Sequence, residues 1–240
     1  MTKPVVKVKQ NLAQFKVGVD NVIFSVDTIN NQLLILLVKR EEEPFKEYWS
    51  LPGTLVKYQE SLESAAYRIL SEKITVNNLY LEQLYTFDHS SNPQFDRYLS
   101  VSYFALMRYE DATITKNIKS VAWINLDAIP TLAFDHNSIL EYGYQRLRNK
   151  LEYSPIAFDV LPELFTLYDL YQLYTTVLGE NFTDYSNFRS RLLKLGFLID
   201  TGEKAHKGAG RPATLYRFDT KAFAPLKDKP LLFISHCSLI

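Results

Sequence analysis

Leu51-Pro-Gly-Thr-Leu-Val-Lys-Tyr-Gln-Glu-Ser-Leu-Glu-Ser-Ala-Ala-Tyr-Arg-Ile-Leu-Ser-Glu-Lys-Ile-Thr-Val76 is the stretch on which the reading of this 240-residue chain turns. It passes from a Pro-Gly turn into a helix expected over Glu60 to Ile74, where Leu62, Ala65, Ala66, Ile69 and Leu70 recur at helical spacing. Ser61 with Ser64 gives a weak start signal for that helix. Arg68 and Glu72 stand one turn apart and share a face.

Upstream, residues 17 to 39 read as a β-hairpin: Val17 to Val26 is rich in β-branched residues, Asn30-Asn31 supplies a turn, and Leu33 to Val38 is a buried strand. Lys39 to Lys46 is a charged loop broken by Pro44. Downstream come a strand from Leu79 to Phe87, a polar loop from Asp88 to Asp96, and an alternating strand from Leu99 to Leu106. Val121 to Ile124 is a short strand and Ser138 to Leu151 a helix. Strands alternating with helices predict a mixed α/β domain over residues 1–150.

Beyond Ser154-Pro155 the pattern changes, and residues 151–240 are expected to form a second domain. Leu161 to Leu178 reads as a helix stopped by Gly179, and Thr183-Asp184 offers an N-cap for a helix from Tyr185 to Leu195. A strand from Gly196, a Gly/Lys-rich loop from Gly202 to Arg211 and a strand from Ala213 to Phe218 complete the order of a winged helix-turn-helix. On the Tyr185 helix, Phe188, Leu192 and Leu195 form an inward stripe, while Asn187, Arg191 and Lys194 lie elsewhere with Arg189 beside them. Such a helix suits the major groove, with Asn and Arg reaching base edges. Lys204, Lys207 and Arg211 in the loop suit a phosphate backbone or a minor groove. The alternative is a solvated basic face on an interaction domain. Tyr168, Tyr171 and Tyr174 read as helix packing rather than base stacking, because they fall on one helical side.

Formal net charge is zero, with 27 basic and 27 acidic residues, yet the balance is uneven. From Ser186 to Arg217 seven basic residues face only Asp200 and Glu203, which leaves a local +5. No aliphatic run exceeds Leu33 to Val38, and Met1-Thr-Lys-Pro4 opens no signal-peptide core, so a soluble cytoplasmic protein without membrane contact is expected. Cys237 is the single cysteine, which excludes an intrachain disulfide or a cysteine metal cage.

The quoted stretch resembles a Nudix box, a glycine loop feeding a helix with Arg-Glu-aliphatic-x-Glu-Glu and then Gly. Thr54 stands at the motif glycine, Glu60 at its first glutamate, Arg68 at the arginine and Glu72 at one helix carboxylate. Ile69, Lys73 and Thr75 replace Glu, Glu and Gly. In the motif, glutamates on one helix face hold divalent cations against a pyrophosphate. Ile69 removes a hard oxygen ligand, and Lys73 sets a positive charge where a cation must sit, a repulsion of roughly several kcal/mol at an effective dielectric of about 20. No catalytic residue, no metal site and no required cofactor is therefore expected, and the box is read as dead.

Phe134-Asp-His136, Leu147-Arg-x-Lys-Leu-Glu-Tyr-Ser-Pro155, Ala157-Phe158, Leu161-Pro162, Phe165-Thr-Leu167 and Asn187-Phe-Arg189 are similar to the Nudix-related transcriptional regulators of NAD metabolism, over roughly residues 15 to 220. The resemblance implies a homodimeric repressor with an ADP-ribose-like effector in an inactive Nudix-fold domain and operator DNA on a winged helix. It also leaves open a sugar effector, as in related branches, or a pyrophosphohydrolase whose C-terminal domain binds a protein. For the effector pocket the candidates are Arg40, Trp49, Arg68, Glu72 and Arg97, arginines for pyrophosphate oxygens and an aromatic for base or ribose. Trp49 could equally be core, and Arg68 could simply pair with a helix carboxylate. His136 is read as structural, since no nucleophile accompanies it.

Overall fold

The computed structural model describes residues 14–76, 79–88, 97–114, 120–179, 182, 184–206 and 212–227. β1 (Lys16–Asp27) and β2 (Gln32–Lys39) form the hairpin, antiparallel from Phe24↔Ile35 to Asp27↔Gln32. Its turn is held by the Asp27 carboxylate, which accepts from the backbone N–H groups of Ile29 and Asn30, and Asn31 takes the left-handed position at φ 53°. β7 (Tyr98–Arg108) runs parallel to β1 from Lys16↔Tyr98 to Val26↔Arg108, and β6 (Glu82–Asp88) closes that edge. On the other side β3 (Trp49–Ser50) and β9 (Val121–Asn125) pair with β2, while β4 (Gly53–Leu55) pairs with the first part of β1. These seven strands make one mixed sheet; β5 (Ile74–Val76) and β8 (Ala112–Ile114) form a separate ribbon.

Alternation assigns the two faces. Val19 and Ile23 of β1, Leu36 of β2, and Val101, Tyr103 and Ala105 of β7 pack on one side against Ala65, Ala66 and Leu70 of α1 (Leu62–Ser71). Val22, Phe24 and Val26, with Leu33, Ile35, Leu37, Phe104 and Leu106, pack on the other side beneath α2 (His136–Tyr153). α1 is shorter than its periodicity predicts. The helix starts where the Ser61 hydroxyl accepts from Ser64 N–H, and Ile74 leaves it for β5.

α2 buries His136, Ile139, Leu140, Gly143, Leu147 and Leu151, one stripe along its length. Its second half also carries the next module: α3 (Ile156–Asp159), α4 (Leu167–Leu178), α5 (Tyr185–Lys194), β10 (Leu198–Ala205), β11 (Ala213–Phe218) and α6 (Thr220–Phe223). The expected helix from Leu161 is a correction. Pro162 lacks a donor, Phe165 is instead bridged to Tyr216 of β11 by two backbone hydrogen bonds, and α4 starts only at the capping box of Thr166 and Asp169. The wing also differs: β10 reaches Ala205, inside the segment read as loop. The loop from Asp88 to Asp96 keeps only Asp88, the last residue of β6, among the described residues.

Tyr144 of α2 donates to Val177 O at 2.8 Å, Arg148 donates to Leu178 O at 3.1 Å, and the buried Tyr174 donates back to Leu151 O at 3.0 Å. One apolar cluster thus runs without a break from the sheet through α2 into Tyr174, Phe188, Phe197 and Phe223. Among the described residues no helix is long and apolar enough to cross a membrane.

Gly143 lets α2 pack close on the sheet. A Cβ there would stand 2.9 Å from Val22 Cγ1, with Val22 itself fully buried. Gly143→Val should therefore overpack this contact and cost about 1–3 kcal/mol, read as a lowered urea midpoint. A midpoint equal to that of the unsubstituted protein would show that α2 does not press on β1.

Candidate effector site and nucleic-acid interface

An ion pair joins the box loop to the box helix. Arg68 meets Glu60 side-on, Nε to Oε1 at 2.7 Å and Nη2 to Oε2 at 3.0 Å, and also reaches Leu55 O and Glu72, the latter at 3.7 Å. The hydrogen bond from Arg68, then that from Lys57 N–H, hold the Glu60 carboxyl down to about 2, and the same pairing raises the Arg68 guanidinium. Ile69 is buried at 8% exposure, and Lys73 follows the end of the helix. Among the described residues no three His, Cys, Asp or Glu side chains are grouped to hold a metal ion. With Glu60 held by Arg68, Glu72 is the one carboxylate at the motif's helix positions, where a pyrophosphate-bound divalent cation needs several oxygen ligands.

On the α2 side of the sheet lies a polar cluster. Leu51 N–H donates to His136 Nδ1 at 3.0 Å, which leaves the proton on Nε2, 3.6 Å from Asp20 Oδ1. Ser100 donates to the other oxygen of Asp20 through a short hydrogen bond. A Cβ at Gly53 would collide with Asp20 Oδ1, so any other residue there would displace the Asp20 carboxylate. Ser102, the strand partner of Asp20, is fully buried and its hydroxyl finds no partner among the described protein atoms. His136 is thereby a strut between the box loop and β1. Asp20 and Ser100 were missed by the sequence reading, although Asp20 carried a signal: it occupies the inward phase of β1 shared by Val22, Phe24 and Val26.

The five effector candidates fall into three groups. Arg68 and Glu72 form the ion pair of α1. Arg40 lies 4.8 Å over the Phe134 ring and donates to Pro44 O, while nearby Trp49 is half-buried against the core and its carbonyl accepts from Ala133. Arg97, exposed before β7, stacks 4.1 Å over Phe15.

In the C-terminal module the basic residues of α5 lie on its exposed surface. The Asp184 carboxylate caps α5 by accepting from Asn187 N–H. Phe188 and Leu192 are buried at 3% and 1%, and Asn187, Arg189, Arg191 and Lys194 are exposed on the rest of the surface. Lys204 extends from β10 and donates to Thr214 Oγ1 of β11 at 2.7 Å. Lys207 and Arg211 lie outside the described residues.

Comparison with known proteins agrees with both halves. The NUDIX domain family matches residues 15–145, and the AraR C-terminal winged HTH domain family matches residues 153–234. The chain is 35% identical to the ADPR responsive transcriptional repressor NtrR of Acinetobacter baylyi over 83% of this chain and 80% of that protein. It is similar to the crystal structure of Shewanella oneidensis NrtR complexed with a 27mer DNA, with a TM-score of 0.72 and 35% identity over 86% of this chain and 94% of that one. It is also similar to the cocrystal structure of the NUDIX domain of that protein with ADP ribose, at 33% identity and a TM-score of 0.50, covering 59% of this chain and 94% of that one. By these matches and by its own fold, the chain belongs to the family of Nudix-related transcriptional regulators, a Nudix domain joined to a winged helix-turn-helix.

Proposed function

We propose that this protein is an effector-responsive transcriptional repressor that binds double-stranded operator DNA through α5 and its wing. Its effector is ADP-ribose or a related nucleotide, and its target genes belong to NAD metabolism. The observation that carries the reading is the outer face of α5, where Asn187, Arg189, Arg191 and Lys194 are exposed around a buried Phe188 and Leu192 stripe. Relatives with the same two modules are a repressor named for its response to ADPR and a protein crystallised with DNA and, as its Nudix domain, with ADP ribose.

Residues 1–150 are assigned to effector binding and residues 151–240 to DNA. Two half-sites of an operator call for two reading helices, so the working form is a cytoplasmic homodimer. Within the Nudix portion Arg68, with Arg40, Trp49, Glu72 and Arg97, is the candidate set for the effector, Arg68 exchanging part of its hold on Glu60 for phosphate oxygens. No cofactor is required.

Ile69 and Lys73, where the motif has carboxylates, argue against hydrolysis. Purified protein with Mg²⁺ or Mn²⁺ should release no product from ADP-ribose above a heat-killed control. Metal-dependent turnover that Glu72→Gln abolishes would make the protein a pyrophosphohydrolase instead. For the DNA reading, Arg191→Ala should weaken binding to an operator selected from random sequence by about 1–3 kcal/mol and leave random DNA much less affected, measured by anisotropy titration. Unchanged binding to both DNAs, together with capture of a protein partner by the basic face, would return α5 to an interaction surface.

A further inference from the structure

The tyrosines of α4 do not share one environment. Tyr174 is buried at 1%, Tyr171 is half-buried, and Tyr168 is 52% exposed although it starts the same stripe. Its ring is nevertheless fixed: it packs edge-on at 6.0 Å against Tyr185, the first residue of α5, and lies 6.4 Å from Tyr171. Its hydroxyl accepts from Gln172 Nε2 at 2.8 Å, so its own hydrogen is available to a further acceptor. Arg189 is one turn along α5 from Tyr185, and its charge acts on the Tyr185 phenol against the effect of burial. The negative charge closest in sequence, Asp169, is committed to the Thr166 capping box, its carboxylate accepting from Thr166 N–H at 2.9 Å.

Tyr168 at the first turn of α4 packs on Tyr185, and Arg189 stands one turn further along α5. In a helix-turn-helix the N-terminal end of the second helix enters the groove while the preceding helix crosses the backbone. The geometry points to Tyr168 as a contact to operator phosphate, its hydroxyl donating to a non-bridging oxygen at the rim of the groove that α5 enters. This rests on the DNA-binding reading above. The contact is sequence-independent and carries no charge, so it positions α5 without releasing a counterion.

Tyr168→Phe removes only the hydroxyl and keeps the ring against Tyr185. It should weaken binding about tenfold on operator and on random DNA alike, with the slope of log K against log salt unchanged. A scan of single methylphosphonate substitutions along the operator adds a structural readout. One phosphate position should weaken the unsubstituted protein when neutralised and leave Tyr168→Phe no weaker than before. Binding of Tyr168→Phe equal to the unsubstituted protein overturns the proposal while the DNA reading stands. A loss confined to the operator also overturns it, because that is base contact. If the unsubstituted protein binds neither DNA, the functional reading falls and this proposal with it.

Discussion

The close approach of α2 to β1, with Gly143 resting on the buried Val22, places one helix under two obligations. At its N-terminal end His136 is tied to the box loop through Leu51 and faces Asp20 on β1. Two turns past Gly143, Leu151 is buried in the same core, and its carbonyl accepts from Tyr174 of α4, while Tyr144 and Arg148 hold the last carbonyls of that helix. Arg148 at this point meets the negative end of α4, which favours a cation. A side chain at 143 would lift α2 and disturb both ends together. Interiors packed this closely transmit displacement rather than absorb it. The Nudix portion and the winged-helix module therefore share α2 as a common packed element.

The box helix keeps the Nudix frame while its surface departs from the motif. The loop, the Ser61 cap and the inward Ala65, Ala66 and Leu70 are kept, and these fix the helix against the sheet. What differs is the outward chemistry. Ile69 turns a carboxylate position into core, and Lys73 puts a cation at the next one.

Local pattern made much of this legible. The alternation in β1 and β7, the hairpin turn at Asn31 and the Asp184 cap are properties of neighbouring residues, and the sequence carries them directly. Non-local pairing was hidden. Phe165 reads as helical among Leu161 to Leu178, and only its partner Tyr216, far along the chain, makes it extended. Asp20 is a polar residue in an apolar phase, but its partners Ser100 and His136 come from distant elements. Helical period placed Tyr168 with Tyr171 and Tyr174, and only the position of α5 separates an exposed phenol from two packed ones.

The central claim is a coupling between an effector in the Nudix portion and DNA on α5, and it is tested by titrating a selected operator with the full chain, with and without saturating ADP-ribose. The account predicts a change in the operator dissociation constant of at least fivefold, the lower range for coupled sites, with the same factor appearing in ADP-ribose affinity when operator is present. A response to a pentose in place of ADP-ribose would keep the coupling and change the effector. An operator dissociation constant that no nucleotide or pentose alters would contradict the account.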